Sequence, residues 1–163
     1  MLKPNKMLHR VTDITPETLS KLGAKALALD IDNTLSTHHG KQILEGLTEW
    51  LEMMKESDVP LLLFSNSKEF RVQPFAKRLG LDYISLGLKP LPFGFFIAAK
   101  KLKVKRKELV LAGDQIFTDV LGARLAGAKV VLLDPIKPED KLSFRVRRAA
   151  EKGLREKYKR RCL

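Results

Sequence analysis

The amino-acid sequence predicts an α/β fold, a doubly wound, Rossmann-like parallel sheet of five strands with helices on both faces. Five short apolar runs recur along the chain: AKALALD (24–30), VPLLLFS (59–65), LDYISL (81–86), ELVLAGD (108–114) and AKVVLLD (128–134). Apart from the third, they are nearly continuously apolar rather than alternating, which is the pattern of strands covered on both faces of a parallel sheet. Helical patterns lie between them at Ile43–Lys55, Lys68–Leu79, Phe93–Leu102 and Thr118–Ala126. Strands and helices that alternate over short connections wind into such a sheet.

Individual boundaries have their own physical reasons. Ser67 is placed to cap the second helix, Pro92 stands at a favourable helix start, and Gly80 and Gly127 follow helices where a left-handed residue is commonly needed. Pro74 conflicts with an unbroken Lys68–Leu79 helix, so a kink is expected there, or a first turn followed by the helix proper.

The chain has 163 residues, 44% hydrophobic and 31% charged, which suits one globular domain over 1–163 and excludes wholesale disorder, a collagen-like repeat or a coiled-coil rod. Its single cysteine, Cys162, leaves no intramolecular disulfide and no Cys–His zinc cluster. No apolar run approaches the roughly 18–20 residues that cross a bilayer, and the first residues, MLKPNKMLHRVTD, lack the apolar stretch of a secretory signal. The expected location is cytoplasmic, either free or peripheral on an inner membrane face.

Charge is the main compositional anomaly. Thirty-one Lys and Arg against nineteen Asp and Glu give +12, which points to a polyanionic partner, anionic lipid or an anionic substrate. The excess is concentrated in a basic tail at about 138–163: residues 141–161 hold ten basic and two acidic side chains. Leu142, Val146, Ala150, Leu154 and Tyr158 recur there every four residues, so a helix over this segment would carry an apolar stripe with cationic flanks. Such a helix either packs on the sheet or lies on an anionic membrane; nucleic acid is the competing, less favoured partner.

In an open α/β sheet, ligands bind beyond the carboxyl ends of the strands, and polar groups cluster there in this sequence. Asp30-Ile31-Asp32-Asn33-Thr34 follows the first strand, Ser65-Asn66 ends the second, Lys89-Pro90 follows the third, and Asp114 follows the fourth, with Asp119 five residues on. Two carboxylates spaced as Asp30-x-Asp32 at the end of a buried strand are costly unless a cation compensates them, and Asp114 adds to the demand. Mg²⁺ answers it, because it takes oxygen ligands and typically binds one or two carboxylates together with a substrate phosphate. Lys89 and the hydroxyls of Thr34 or Ser65 would then complete a phosphate site.

These residues also carry a resemblance. DIDNT at 30–34, LFSNS at 63–67, GLKP at 87–90 and GDQIFTD at 113–119 resemble the four ordered motifs of the haloacid dehalogenase superfamily, over roughly residues 24–134. The wider pattern, SNS…FAKRLG…LKPLPFGF…GDQIFTDVLGARLAG, is similar to the YqeG-type branch of its subclass III phosphatases, which is related to mitochondrial phosphatidylglycerophosphate phosphatases. The resemblance implies a Mg²⁺-dependent phosphomonoester hydrolase working through an aspartyl-phosphate, with phosphatidylglycerophosphate as the named substrate. By the same resemblance, Asp30 is the nucleophile and Asp32 the acid–base group. Mg²⁺ is held by Asp30, the Asp32 backbone carbonyl and Asp114. Ser65 and Lys89 bind the phosphoryl group with Asn66 and Thr34 positioning the loops, and Asp119 sits behind Lys89 or the metal waters. The spacings Thr34–Ser65 and Ser65–Lys89 leave room for little beyond a crossover helix each, so the protein is expected to lack a cap and to suit a large or surface-presented substrate.

Plainer readings stand beside these. Asp at strand ends often caps helices, Ser65 and Asn66 could do the same, Lys89 could be a solvated loop lysine, and Asp119 could serve a salt bridge alone. His38 and His39 could approach a leaving group but are simplest as exposed loop residues. The Lys100–Lys107 cluster reads as a solvated helix end, and phosphatase action on another soluble or macromolecular phosphate, or a nucleic-acid-associated role, are the rival functions.

Overall fold

The computed structural model describes residues 2–37, 42–137 and 142–159, so His38 and His39 lie outside the described residues. One sheet of six parallel strands organises it: β1 (Lys6–Leu8), β2 (Ala26–Leu29), β3 (Leu61–Phe64), β4 (Asp82–Ile84), β5 (Leu109–Gly113) and β6 (Lys129–Leu133), in the order β1-β6-β5-β2-β3-β4. The five expected strands are all present, and β1 adds a sixth on the outer edge of β6. Its sequence, Lys-Met-Leu, is three residues long and only partly buried, too short to show an apolar run.

The continuous apolar runs divide their side chains between two cores with the two-residue period of a strand. Leu27, Leu29, Leu63, Val110, Ala112, Val131 and Leu133 point to one face. Helices α1 (Pro16–Lys21), α2 (Leu47–Glu56) and α3 (Glu69–Leu79) cover that face through Leu19, Leu47, Trp50, Met54, Val72 and Ala76. The alternate residues Ala26, Ala28, Leu62, Phe64, Leu109, Leu111, Val130 and Leu132 face α4 (Phe93–Lys101), α5 (Leu121–Ala126) and α6 (Leu142–Lys159). Trp50 closes the first core by donating its indole N–H to the Ile14 carbonyl at 2.7 Å.

Several element boundaries differ from expectation for local reasons. Helix α2 starts at Leu47 rather than Ile43 because Gly46, at φ 78°, turns the chain immediately before it. Ser67 does not cap α3; Lys68 occupies the cap position without a side-chain bond, and the Ser67 hydroxyl is drawn to Asp32 instead. Helix α3 also runs through Pro74, whose missing N–H would have served the carbonyl of Phe70, itself an exposed residue with access to water. The expected helix at Thr118–Ala126 opens as a π-helical turn, Ile116–Val120, before α5. Such turns are often found at functional sites.

The tail folds as α6, but its stripe divides. Tyr158 is buried and Leu154 packs against the second core, whereas Leu142 and Val146 are 74% and 64% exposed. The most buried of its described residues is a carboxylate, Glu151. None of the described helices is long and apolar enough to cross a membrane.

Candidate active site

The strand order places β2 between β3 and β5, so the chain leaves the sheet centre in opposite directions there and opens a crevice at the strand ends. Asp30 ends β2, Ser65 ends β3, Asp114 ends β5 and Lys89 enters from the loop after β4. A cavity of about 570 Å³ opens there, lined among others by Asp30, Asp32, Ser65, Asn66, Lys89 and Asp119, with Asp114 buried outside its lining.

Lys89 forms the floor. Its ammonium donates to Asp30 Oδ1 at 2.7 Å and to the Phe64 carbonyl at 3.1 Å, and lies 2.8 Å from Asp119 Oδ1. Burial alone would lower the lysine's pKa, but the facing Asp119 and Asp30 carboxylates outweigh it and push it up, so the side chain stays charged. Asn66 fixes the lysine's backbone from both sides, donating to the Lys89 carbonyl at 2.9 Å and accepting from its N–H at 2.7 Å. Ser65 is buried beside them and its hydroxyl oxygen accepts the Ser67 N–H at 3.0 Å.

Asp30, Asp114 and Asp119 are all buried, and each brings a carboxylate oxygen to within 4.8 Å of the others. Burial raises the Asp30 pKa well above the carboxylate range; Lys89 opposes this, while Asp119 and Asp114 add to it. Asp30 and Asp119 share Lys89, while Asp114 faces Arg148 through its carboxylate and Arg155 through its carbonyl. Three carboxylates gathered this closely form an oxygen-only donor set of the kind a divalent metal takes.

Asp32 stands apart from that cluster on the cavity wall. Its carboxylate accepts from the Ser67 hydroxyl at 3.2 Å and from Arg71 at 3.3 Å. It is half-buried and open to the cavity, where a group that exchanges protons with substrate and water must be. Thr34 is not brought to this cavity. It lines a separate space of about 60 Å³ beside His9 and Asp134, and its hydroxyl has no hydrogen-bond partner among the described residues.

The largest contribution absent from the sequence-based reading comes from α6. Arg148 pairs with the Asp114 carboxylate and donates to its carbonyl at 2.9 Å, and Arg155 donates to that same carbonyl. Glu151 sits between the two arginines and accepts the backbone N–H groups of Ile116 and Phe117 at 2.8 and 3.3 Å, tying down the π-helical turn that carries Asp119. Arg147 reaches the cavity itself, donating to Gln115 Oε1 at 2.9 Å. One signal for this existed in the sequence: Arg148, Glu151 and Arg155 share a helix face at i, i+3 and i+7.

Gly113 ends β5 against Asp119, and a Cβ there would overlap the Asp119 carboxylate. Gly113→Ala is expected to cost about 1–3 kcal/mol of stability. It should lower turnover at this site by more than that destabilisation accounts for, because Asp119 must swing off Lys89. Urea unfolding and turnover measured on the same preparation would show it; wild-type values in both would mean that this contact is slack.

A family model for haloacid dehalogenase-like hydrolases matches residues 12–127. The chain is 32% identical over 157 residues to the probable phosphatase YqeG of Bacillus subtilis (strain 168), covering 96% of this chain and 91% of that protein. Among solved structures it resembles a HAD family hydrolase from Deinococcus radiodurans R1 with bound phosphate and sodium, with a TM-score of 0.62, 17% identity and coverage of 78% and 88% of the two chains. It also resembles the 3-deoxy-D-manno-octulosonate 8-phosphate phosphatase of Moraxella catarrhalis, solved with magnesium and phosphate ions, at a TM-score of 0.53 and 22% identity over 72% and 73% of the two chains. These matches, together with an Asp-lined crevice at the switch point of a parallel sheet, show that the chain belongs to the haloacid dehalogenase-like hydrolase family and is a phosphatase of that family.

Proposed function

We propose that this phosphatase hydrolyses phosphate monoesters in a Mg²⁺-dependent, two-step reaction through an aspartyl-phosphate on Asp30. The observation that carries the reading is the buried Asp30–Lys89–Asp119 arrangement at the floor of an open cavity, with Asp32 on the wall beside it. A carboxylate oxygen of Asp30 attacks phosphorus and the ester oxygen leaves, taking a proton from Asp32. Water then attacks the phosphorus of the acyl phosphate, gives its proton to Asp32 and releases inorganic phosphate, regenerating Asp30. Lys89, Ser65 and Asn66 bind the phosphoryl group, while Asp119 keeps Lys89 charged and in place. Thr34, turned away from the cavity, serves the conformation of the loop after Asp30.

The donor set for Mg²⁺ is Asp30, Asp114 and the Asp32 backbone carbonyl, with the Asp119 carboxylate close by. When bound, the ion offsets charge developing on the phosphoryl oxygens and aligns the group for in-line displacement. Chelation with EDTA is expected to stop phosphate release, and Mg²⁺ to restore it. Ca²⁺ should be a poor substitute, because its larger and looser coordination disturbs in-line geometry. Full turnover after exhaustive chelation would exclude the site.

For the substrate we propose an ester presented at a surface, with phosphatidylglycerophosphate as the specific candidate and the +12 charge as the attraction to an anionic bilayer. The cavity is open, and the connections that could have carried a cap are short: α3 alone fills the link from Ser65 to β4. A hydrolysis panel containing p-nitrophenyl phosphate, a sugar phosphate, a nucleotide and the lipid phosphate in mixed micelles tests it. Release should be fastest from the lipid, and a preference for a soluble ester would assign the enzyme to that class instead.

A further inference from the structure

Ten large apolar side chains stand exposed among the described residues, and six of them lie within one short segment. Leu86, Leu88 and Leu91 sit in the loop after β4 at 55%, 57% and 48% exposure. Phe93, Phe96 and Ile97 follow on the outer side of α4 at 61%, 41% and 51%. Phe70, 71% exposed at the start of α3, faces the same opening, because Phe70 and Leu86 both line the cavity that holds Asp30. Monomeric soluble proteins rarely gather such groups without a partner.

Two backbone conformations sharpen the point. Leu86 and Leu88 adopt φ of 46° and 54°, in the left-handed region where glycine or asparagine is favoured and leucine is strained. Leucine at both positions, with its side chain directed into solvent, gains nothing from the core and implies that the apolar group is used outside it. Cations border the segment: Lys68 at the cavity mouth, Lys100 at the end of α4, and Arg106 with its guanidinium 4.7 Å from the centre of the Phe96 ring, whereas Arg71 and Lys101 beside them are paired with Asp32 and Asp82.

We infer that the 86–97 ridge, with Phe70, is a membrane-docking face that inserts its apolar side chains into an anionic bilayer and sets the Asp30 cavity against the headgroup layer. Apolar side chains framed by cations match an anionic interface in both respects. A second copy of the chain would cover the apolar area but would bring +12 against +12 with the same basic borders facing each other. The inference deepens the proposed function by locating the docking surface at the cavity mouth rather than along the whole tail helix, whose Leu154 and Tyr158 are turned inward.

Flotation with phosphatidylcholine vesicles, with and without 30% phosphatidylglycerol, tests the inference on the full chain. Wild type should float with the anionic vesicles and keep a salt-resistant fraction bound, since insertion survives the screening that removes attraction between charges. Leu88→Asn with Phe93→Ser should lower that binding at least tenfold while leaving p-nitrophenyl phosphate turnover within twofold of wild type; asparagine also suits the left-handed backbone at 88. Should that variant melt early, Leu91→Gln with Ile97→Gln is the second pair, with the same expectation. Wild-type vesicle binding by a folded ridge variant would overturn the docking face. So would a wild-type dimer in sedimentation that a ridge variant converts to monomer without any change in vesicle binding. The catalytic reading fails separately: Asp30→Asn should dock like wild type, so docking without any hydrolysis by wild type would overturn the proposed reaction and leave the surface standing.

Discussion

Asp30→Asn should lose essentially all phosphate release, by roughly 10⁴-fold or more, with the protein still folded. The size of the effect follows from the step that disappears: an amide oxygen cannot form the acyl phosphate, and no other carboxylate occupies its position at the end of β2. The fold should survive because the buried carboxylate is itself an electrostatic burden. Burial, Asp119 and Asp114 all act against its ionisation, and only Lys89 favours it. In the variant Lys89 retains Asp119 at 2.8 Å, so its charge is not left alone. Phosphate release with saturating Mg²⁺, beside a urea titration, separates chemistry from stability. Wild-type turnover by Asp30→Asn would remove the nucleophile assignment and the two-step reaction with it.

Glu151→Ala is the substitution expected to cost the most stability, about 3–5 kcal/mol. Glu151 is fully buried, and its carboxylate serves the N–H groups of Ile116 and Phe117 while standing between Arg148 and Arg155. Alanine would leave the buried Ile116 N–H and the partly buried Phe117 N–H unserved, and would take from Arg148 and Arg155 the carboxylate they share, leaving Asp114 and Asp134 to face them; removing one member of a buried ionic network is far more costly than never having had it. Activity should fall as well, since the same N–H groups belong to the turn that presents Asp119. Glu151→Gln, which keeps an acceptor but not the charge, should fall between the two. A Glu151→Ala protein within 0.5 kcal/mol of wild type by urea unfolding would show that the helix merely rests on the domain. The same network makes a truncation that removes α6 expected to damage turnover of soluble and lipid substrates alike, unlike a helix that only recruits the enzyme to a surface.

The tail shows why helical periodicity is ambiguous. Leu142, Val146, Ala150, Leu154 and Tyr158 form a stripe at four-residue spacing, yet only its C-terminal part meets the core. A spacing of 4.0 drifts around a helix of 3.6 residues per turn, so one end of such a stripe turns outward as the other turns in. Arg147, through Gln115, and Arg148, through Asp114, tie the N-terminal half to the domain, with Glu151 at the helix centre, and composition alone assigns all three to solvent. Ser67 departs from the expected capping role for a related reason. A serine before a helix can cap it, but an acceptor at the end of another strand, Asp32, competes for the hydroxyl from thirty-five positions away.

Five of the six strands, the two-sided burial of the sheet and the placement of Asp30, Asp32, Ser65, Lys89 and Asp114 at strand ends and the loops that follow, with Asp119 in the turn after β5, are legible in the sequence alone. Those features rest on contiguous residues: an apolar run covered on both faces is legible in the run itself, and the polar residue that ends it has to lie at the edge of the sheet. Tertiary structure alone decided which charges meet. It put Lys89 between Asp30 and Asp119, left Asp32 to Ser67 and Arg71, turned Thr34 away from the cavity, added β1 to the edge of β6, and brought Arg148 of the tail to Asp114. Each of those pairings joins residues remote in the chain or depends on which way a side chain turns. The choice among several similar partners is made by packing, since a buried charge accepts whichever counter-charge the closed core leaves within reach.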